Sequence, residues 1–324
     1  MKVAIVMVNY RTPGLVLDCL RSLAPEQGDG VRFTVLIGDA ESGDGSVATI
    51  SDFIEAQGYD WAQCFAIGRN GGFAYGNNFI LQQHALADPD VVHVHFLNPD
   101  TYIRPGAVRE LSRFLAENPG AGAAGSLLED PDGSPRSCAF RFPAPWREFF
   151  GGASFSVLER LVPSSKVVVP TPGRRVCVDW VSGASFMMPR AALDRVGLMD
   201  DQYFLYFEET DLMARLKAAG YAVWHVPESR VVHLAGQATG HRAGRRPARL
   251  SQHWLRSRSR FMVRHYGRAG LMGGTVLYLL GDLVYRLRCL LLLRRPQKPP
   301  ALWRDYLRFG FSSPAAGTPE AQHV

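Results

Sequence analysis

The sequence predicts an α/β fold: a mostly parallel central sheet flanked by helices, with a helical extension at its C-terminal end. Apolar, β-branched runs alternate with helical patterns over the first 240 residues, and repeated βα units of this kind favour a parallel sheet. With 324 residues, 47% of them hydrophobic, the chain can form a sizeable core in one large domain with an appendage or in two domains.

Each predicted element has a local signal. Residues 2–8, KVAIVMV, are continuously apolar, as in a strand that is covered on both faces. Residues 128–175 are rich in Pro, Gly, Ser and Arg and are predicted to form a long loop region with short elements. The other strands are predicted at 33–39, 90–97 and 221–227 and twice within 176–188, and the helices at 14–23, 45–58, 74–86, 105–120 and 208–220.

Positive charge is concentrated near the C-terminal end. The formal net charge is +6, and ten arginines but no acidic residue lie between Glu228 and Asp282. A long apolar run follows over 271–293, interrupted by Asp282, Arg286 and Arg288. Because charges at the centre of a bilayer are costly, we expect a helix in the membrane interface, with its arginines on anionic headgroups. The alternative is an amphipathic helix packed on the preceding domain.

These patterns divide the chain into three parts and indicate its compartment. We expect a folded domain over 1–240, a basic amphipathic helical extension over 241–310 and a disordered tail over 311–324. The five cysteines are scattered without a C-x-x-C pair, which argues against a zinc site and a disulfide framework and fits a reducing cytosol. The first apolar run is too short for a signal-peptide core.

Polar groups stand where strands are predicted to end, which is where open parallel sheets bind ligands. Each group alone is also explained by a turn or a helix start. His93 and His95 share one strand face, which packing explains better than a metal site, and His233 alone could be a core histidine. The groups are NYR at 9–11, Asp39 with AESGDGS, GRNGGFAYGNN at 68–78, NPD at 98–100 and FEETD at 207–211.

A dinucleotide site is excluded because no G-x-G-x-x-G follows the first strand, and there is no Walker loop. GRNGGFAYG is glycine-rich but follows no convincing predicted strand. Gly71 and Gly72 would nevertheless let the backbone approach an anion closely.

Seven motifs occur in order over about residues 3–240. They are VAIVMVNYRTPGLVLDCLRSL, IGDAESGDGS, NGGFAYGNN, LNPDT, WVSGASFMMPR, YFLYFEETDLMARLKAAGY and VVHLAGQATG. In this order they resemble glycosyltransferase family 2, with the GT-A fold, in the branch that includes bacterial rhamnosyltransferases. Single motifs are weak signals, whereas the ordered set is specific.

The resemblance implies a role for each position. A nucleotide-sugar donor would be bound by Asn9, Tyr10, Asp39, Asn70, Gly71, Gly72, Asn78 and Asn98. The donor sugar and the acceptor would lie against Trp180, Ser182 and Gly183, with Asp211 supporting the helix start. Glu208 and Glu209 would be the catalytic acidic pair, with Glu209 as the base, and Asp100 and His233 would hold Mg²⁺ or Mn²⁺.

Elementary chemistry agrees with those roles. Negative charge develops on the leaving nucleoside diphosphate, and a divalent cation neutralises it with few protein ligands when phosphates supply the others. Pro99 would stiffen the turn that presents Asp100. A carboxylate within reach takes the proton of the incoming alcohol, and in-line attack inverts the anomeric centre.

Two departures from the family pattern matter. Glu208-Glu209 stands where Glu-Asp is common, and Asp39-Ala40 stands where Asp-Asn is usual. The second change leaves the nucleotide open: dTDP-rhamnose is the first expectation and a UDP-sugar the second. The acceptor is expected to be a lipid-linked saccharide at the cytoplasmic face of the membrane, in cell-envelope polysaccharide synthesis.

Two other functions are alternatives. A nucleotidyltransferase of similar fold would favour an Arg/Lys-rich glycine loop near the N-terminus, which the sequence lacks. Binding of nucleic acid is suggested by arginines interleaved with Trp254, Phe261 and Tyr266, but it leaves the carboxylates unexplained.

Overall fold

Strands and helices alternate through the computed structural model, which describes residues 1–28, 30–171, 173–234, 249–299 and 301–311. The strands are β1 (Lys2–Asn9), β2 (Arg32–Asp39), β3 (Ala62–Ala66), β4 (Val91–Leu97), β5 (Thr101–Ile103), β6 (Ala121–Glu129), β7 (Ala139–Phe140), β8 (Val176–Val178), β9 (Trp180–Val181), β10 (Ser185–Pro189) and β11 (Ala222–His233). The helices are α1 (Pro13–Leu23), α2 (Ser46–Gln57), α3 (Gly72–Gln83), α4 (Ala107–Glu117), α5 (Pro145–Ala153), α6 (Ser156–Leu161), α7 (Arg190–Val196), α8 (Glu208–Ala218), α9 (Gln252–Leu291) and α10 (Leu302–Phe311).

The central sheet has nine strands among the described residues. Eight of them follow the order β3-β2-β1-β4-β10-β6-β11-β5, and β8 pairs with β11. The pairs β1–β2, β1–β4, β2–β3 and β6–β11 are parallel, whereas β10 runs antiparallel between β4 and β6. The predicted α/β fold is confirmed, with more antiparallel pairing than predicted. The carboxyl ends of β1, β2, β4 and β11 therefore lie at one edge, together with the start of β10.

Both faces of the sheet are covered, which explains the continuous apolar run of β1. Val3, Ile5 and Met7 are buried in a cluster with residues of α1 and α4. Ala4 and Val6 alternate with them and are buried in a second cluster with residues of α3 and α8. The two clusters therefore pack the sheet between helices on both of its faces.

The two histidines on β4 are core residues, as the packing interpretation predicted. His93 Nδ1 hydrogen-bonds Ser112 Oγ and His95 Nε2 hydrogen-bonds Ser185 Oγ, each over 3.0 Å. Burial lowers the pKa of His93 to about 4 and that of His95 to about 3. Both rings are therefore neutral at physiological pH.

Three sequence predictions are corrected. The region 128–175 contains the helices α5 and α6. β11 extends to residue 233 rather than 227, since a shift in its register with β6 between Val226 and Arg230 accommodates Pro227. β3 was missed because it is short and partly exposed, so the glycine-rich segment at 68–78 does follow a strand.

Close glycine contacts join α5 to α9. A Cβ atom on Gly152 would overlap the carbonyl oxygen of Tyr278, and one on Gly281 would overlap that of Phe149. Gly152, one of the glycines that made 128–175 resemble a loop, and Gly281 of α9 thus let the two helices approach closely. α9 contains a break at Gly267, where φ is 70°.

Asp282, the acidic residue that interrupts the apolar run of α9, lies inside the protein, and Arg286 and Arg288 are partly exposed. Asp282 is 0% exposed, and its carboxylate is bound by Arg286 Nε and Trp303 Nε1, both at 2.6 Å, and by Lys298 Nζ at 3.1 Å. The face of α9 that carries Asp282 therefore packs against the rest of the protein, as expected for an amphipathic helix packed on the preceding domain. None of the helices in the described part of the chain combines the length and apolar character that a membrane crossing needs. Residues 241–248 and the predicted tail from 312 lie outside the described residues.

Arg258 provides a test of how the extension is held. It is 1% exposed and its Nη2 lies 3.0 Å from Glu148 Oε2 on α5. Arg258→Ala leaves Glu148 without its partner in a buried place, so we expect a loss of about 3–5 kcal/mol in the free energy of unfolding, measured with urea. Arg256→Ala, at an exposed position of the same helix, should change it by less than about 0.5 kcal/mol. Equal losses in the two variants would contradict this role of Arg258.

Candidate active site

Asp100 and His233 meet at the carboxyl edge of the sheet. Asp100 Oδ1 lies 3.3 Å from His233 Nε2. The two residues are held together because Thr101 pairs with His233 between β5 and β11, and the Leu234 amide donates to the Asp100 carbonyl over 2.9 Å. The turn that follows β4 therefore brings the predicted carboxylate and histidine into contact across 133 positions of sequence.

This pair has the properties of a partial cation site. Asp100 is 2% exposed, and the buried oxygens Asp100 Oδ1 and Asn98 Oδ1 have no hydrogen-bond partner. Within the described residues no group of three or more His, Cys, Asp or Glu side chains could hold a metal. Two protein ligands suit Mg²⁺ or Mn²⁺ when substrate phosphates supply further oxygens, so the residues present fit a divalent cation that binds with the donor.

The acidic pair begins α8 after a strained turn. Tyr206 and Phe207 have φ values of 72° and 71°, which bulky residues adopt rarely and mostly at functional sites. Glu208 Oε2 and Glu209 Oε2 are buried without hydrogen-bond partners. Gly183, just before β10, lies beside Glu209: a Cβ there would be in ordinary contact with the Glu209 carboxyl carbon, at 3.5 Å.

The two carboxyl groups retain protons unusually well. Burial and the neighbouring charge of Glu209 raise the pKa of Glu208 well above its ordinary range. Burial also raises the pKa of Glu209, while backbone hydrogen bonds, including one at Gly183, oppose that rise. Because the two buried charges oppose each other, the pair keeps a proton to higher pH than an isolated glutamate would.

A buried network surrounds Asp39. Its Oδ2 accepts from Asn9 Nδ2 at 2.7 Å and from Ser42 Oγ at 2.6 Å, and its Oδ1 accepts from the Ser42 amide at 2.9 Å. The Arg11 amide donates to Ser42 Oγ over 2.7 Å. Asn9 is completely buried, so it positions Asp39, and Tyr10 is the partly exposed member of the group. Ser42 and Arg11 were not predicted, although both stand within the motifs.

The NGG segment at 70–72 is a docking point between loops. Asn70 Oδ1 accepts from the Gly72 amide at 3.1 Å. Gly72 has φ 85°, and a Cβ there would overlap the carbonyl oxygen of Phe204. The Phe73 amide donates to that same oxygen over 2.9 Å. The ring of Tyr75 lies directly against Gly71, and a Cβ atom on Gly71 would overlap that ring.

Asn78 has a different role from the predicted one. Its Nδ2 donates to the Met199 carbonyl at 2.7 Å, and its Oδ1 accepts from the Met199 amide at 3.1 Å. Both halves of the amide are therefore engaged by the backbone of Met199. It anchors the segment that leads to the acidic pair.

Three of the four predicted acceptor residues are partly exposed, and the fourth, Asp211, is buried. Trp180, Ser182 and Gly183 are partly exposed, and Gly183 lies beside Glu209. The Trp180 ring stacks on Phe140 with centroids 4.1 Å apart, and its Nε1 donates to the Arg141 carbonyl at 3.0 Å. These contacts leave the ring in a fixed orientation.

Asp211 is the exception, because it is completely buried and paired with basic side chains. It is 0% exposed, with Oδ1 2.9 Å from His265 Nε2 and 3.1 Å from Arg264 Nε, and Oδ2 3.0 Å from Arg215 Nε. Its role is therefore to join α8 to α9. His265 and Arg264 were not singled out by the sequence, where they are two basic residues among many.

Known proteins resemble this chain in sequence and in structure. No protein-family model matches the chain. It is 30% identical over 260 residues to the N-acetylglucosaminyl-diphospho-decaprenol L-rhamnosyltransferase of Mycobacterium tuberculosis, covering 73% of this chain and 77% of the relative. It is 24% identical over 168 residues to rhamnosyltransferase WbbL of Escherichia coli, covering 51% and 61%.

Two solved structures show the likeness of fold. GalNAc-T7 with UDP, GalNAc and Mn²⁺ matches with a TM-score of 0.59 and 13% identity, over 95% of this chain and 54% of that one. The mannosyltransferase PcManGT from Pyrobaculum calidifontis, with GDP-Man and Mn²⁺, matches with a TM-score of 0.57 and 15% identity, over 95% and 85%. The fold is the GT-A fold, and the protein is a glycosyltransferase.

The 30% identity over most of both chains narrows this class. The chain belongs to the rhamnosyltransferase-like branch of glycosyltransferase family 2. Membership decides among the three functions that the sequence suggested, in favour of glycosyl transfer over nucleotidyl transfer and nucleic-acid binding.

Gly72→Ala tests the docking of the NGG segment. The added methyl group meets the Phe204 carbonyl in a left-handed backbone conformation, so we expect a loss of at least about 2 kcal/mol in the free energy of unfolding. Gly120→Ala, where a Cβ meets nothing within 4 Å, should cost little. If Gly72→Ala were as stable as Gly120→Ala, the contact between the two loops would not be rigid.

Proposed function

We propose that the protein is an inverting rhamnosyltransferase that moves L-rhamnose from dTDP-rhamnose to a hydroxyl group of a lipid-linked saccharide in cell-envelope polysaccharide synthesis. One observation carries the proposal: Asp100 and His233, in contact at 3.3 Å, stand at the same sheet edge as Glu209, whose Oε2 has no hydrogen-bond partner. The sugar is suggested by the names of the relatives, both rhamnosyltransferases. A UDP-sugar is the second candidate donor.

The donor would lie along the edge from β2 to β11. Tyr10 and Asp39 would contact the base and ribose, and the NGG segment at 70–72 would lie beside the diphosphate and sugar. Asp100 and His233 would hold Mg²⁺ or Mn²⁺, which neutralises charge on the departing diphosphate. The unpaired Asn98 Oδ1 is a further polar group at this position.

Glu209 would act as the general base. The acceptor oxygen attacks the anomeric carbon opposite the diphosphate, the bond from that carbon to the phosphate oxygen breaks, and the hydroxyl proton passes to Glu209. Glu209 is favoured over Glu208 because it is the less buried of the two and adjoins Gly183. Burial and the charge of Glu209 raise the pKa of Glu208, so in this assignment Glu208 would be the protonated neighbour.

The acceptor would be a saccharide on a polyprenyl diphosphate. This follows the name of the mycobacterial relative, which contains a diphospho-decaprenol-linked sugar. Such a substrate lies in the membrane, so we propose that the protein works as a peripheral enzyme on the cytoplasmic face.

A donor screen tests this function. Release of nucleoside diphosphate would be followed with dTDP-rhamnose, UDP-sugars and GDP-sugars, in Mg²⁺, Mn²⁺ or EDTA. We expect release from dTDP-rhamnose that EDTA and Asp100→Ala abolish, since both remove the cation from the diphosphate. Glu209→Gln should lower the rate about 10²–10⁴-fold, as expected for loss of a general base.

Exposed Asp201→Asn, near the site in sequence, is the matched control and should keep its rate. Thermal stabilisation by each nucleotide would be measured alongside, so that binding is detected without an acceptor. Neither turnover nor stabilisation with any nucleotide would refute the proposed donor site.

The pH profile separates the two glutamates. Burial raises the pKa of Glu209, and a base works only when deprotonated. The acidic limb of kcat/KM should therefore lie above the ordinary glutamate value of about 4.3, and activity should rise with pH through it. Glu208→Gln should retain most activity, because glutamine approximates the protonated carboxyl group. A loss as large as that of Glu209→Gln would reassign the base to Glu208.

A further inference from the structure

The second half of α9 carries an exposed apolar face. Its spacing of three or four residues places these side chains on one side of the helix, and each is between 42% and 70% exposed. We call this set the apolar stripe: Met272, Val276, Leu280, Leu283, Leu287 and Leu290. α10 adds Trp303, Leu307 and Phe311, also exposed and four residues apart.

The opposite faces of both helices are already used in packing. Trp303 Nε1 donates to Asp282, Tyr306 stacks on Tyr278 with centroids 3.9 Å apart, and Ser259 Oγ donates to the Phe309 carbonyl over 2.7 Å. α10 therefore lies along α9, and the stripe points outward. An apolar surface of this extent on a folded domain marks an interaction site.

The charge around the stripe is of one sign. Between Glu228 and Glu320 there are seventeen basic residues and two acidic ones, Asp282 and Asp305. Both acids are inside the protein, at 0% and 1% exposure, and each is bound by basic side chains. Arg294, Arg295 and Arg304 are exposed. Within the described part of this segment, no carboxylate is exposed to offset them.

We infer that α9 and α10 dock on an anionic lipid bilayer, with the apolar stripe at the acyl boundary and the arginines on headgroups. A second copy of the chain would bring two cationic surfaces together. A nucleic acid would bind the arginines but leave the leucines in water. The inference rests on the proposed function only for the presence of a membrane acceptor, because vesicle binding itself requires no substrate.

Docking would also set the position of the active site. The first half of α9 holds α8 through His265 and Asp211, and Phe207 packs on Trp254 and Phe261, with centroids 5.9 and 5.5 Å apart. The helix that contacts the bilayer is thus fixed to the turn before the acidic pair. A bound bilayer would hold that turn at a constant distance from lipid-linked acceptors.

Vesicle co-sedimentation of the full chain, without donor, tests the inference. We expect binding to phosphatidylcholine vesicles that contain phosphatidylglycerol, and much weaker binding to phosphatidylcholine alone. Leu283→Glu with Leu287→Glu should weaken binding about tenfold or more, since two exposed leucines no longer enter the bilayer. Arg294→Ala with Arg295→Ala should weaken binding to anionic vesicles and reduce its salt dependence.

Val92→Glu is the matched control: an exposed apolar residue of β4, distant from α9 in the fold. It should bind like the wild type, and thermal unfolding would confirm that each variant is folded. Release of nucleotide from the donor, which needs no membrane, should be unchanged in the leucine variant, so a failure of docking is distinct from a failure of the proposed function.

Three outcomes would overturn the inference. One is no binding of the wild type to either vesicle. Another is binding that the leucine double variant leaves intact. The third is a dimer, or a complex with single-stranded RNA, that the same double variant abolishes while vesicle binding is absent.

Discussion

Burial of carboxylates at one edge of the sheet is the constraint on which the rest of the structure depends. An ionised carboxylate inside a protein costs several kcal/mol unless it is paired and hydrogen-bonded, and this edge holds several. They divide into two kinds. Asp39 and Asp211 have partners at both oxygens and join loops or helices. Asp100, Glu208 and Glu209 each keep a buried oxygen without a hydrogen-bond partner.

Contacts within the protein hold in place the turn that leads to Glu208 and Glu209. Asn78 anchors the segment at Met199, Gly72 anchors the one at Phe204, and Asp211 anchors α8 to α9. These three attachments surround the turn at Tyr206 and Phe207, whose left-handed conformation needs such support. Residues that contact no substrate therefore determine where Glu208 and Glu209 lie.

The C-terminal extension belongs to this arrangement and is more than an appendage. Its first half packs on the turn before the acidic pair, and its second half packs on α5 through contacts that only glycine permits at residues 152 and 281. Arg258 and Asp282, charges that made the segment look polar, are buried and paired. What remains outside is the apolar stripe, with exposed arginines near it, while the first half of the same helix packs on the turn before the acidic pair.

The sequence by itself determined the elements and the chemical groups, because both depend on residue type and short spacing. The run in β1, the carboxylate after β4 and the acidic pair that opens α8 are all local patterns, and the ordered motifs were sufficient to identify the family. Only the tertiary structure decided which groups pair, since partners are chosen over long separations. Asn78 finds Met199 from 121 residues away and Asp211 finds His265 from 54, and no local pattern records either choice. The same reason explains the helices missed within 128–175: glycines that indicate a loop in isolation become contact points once a second helix lies against them.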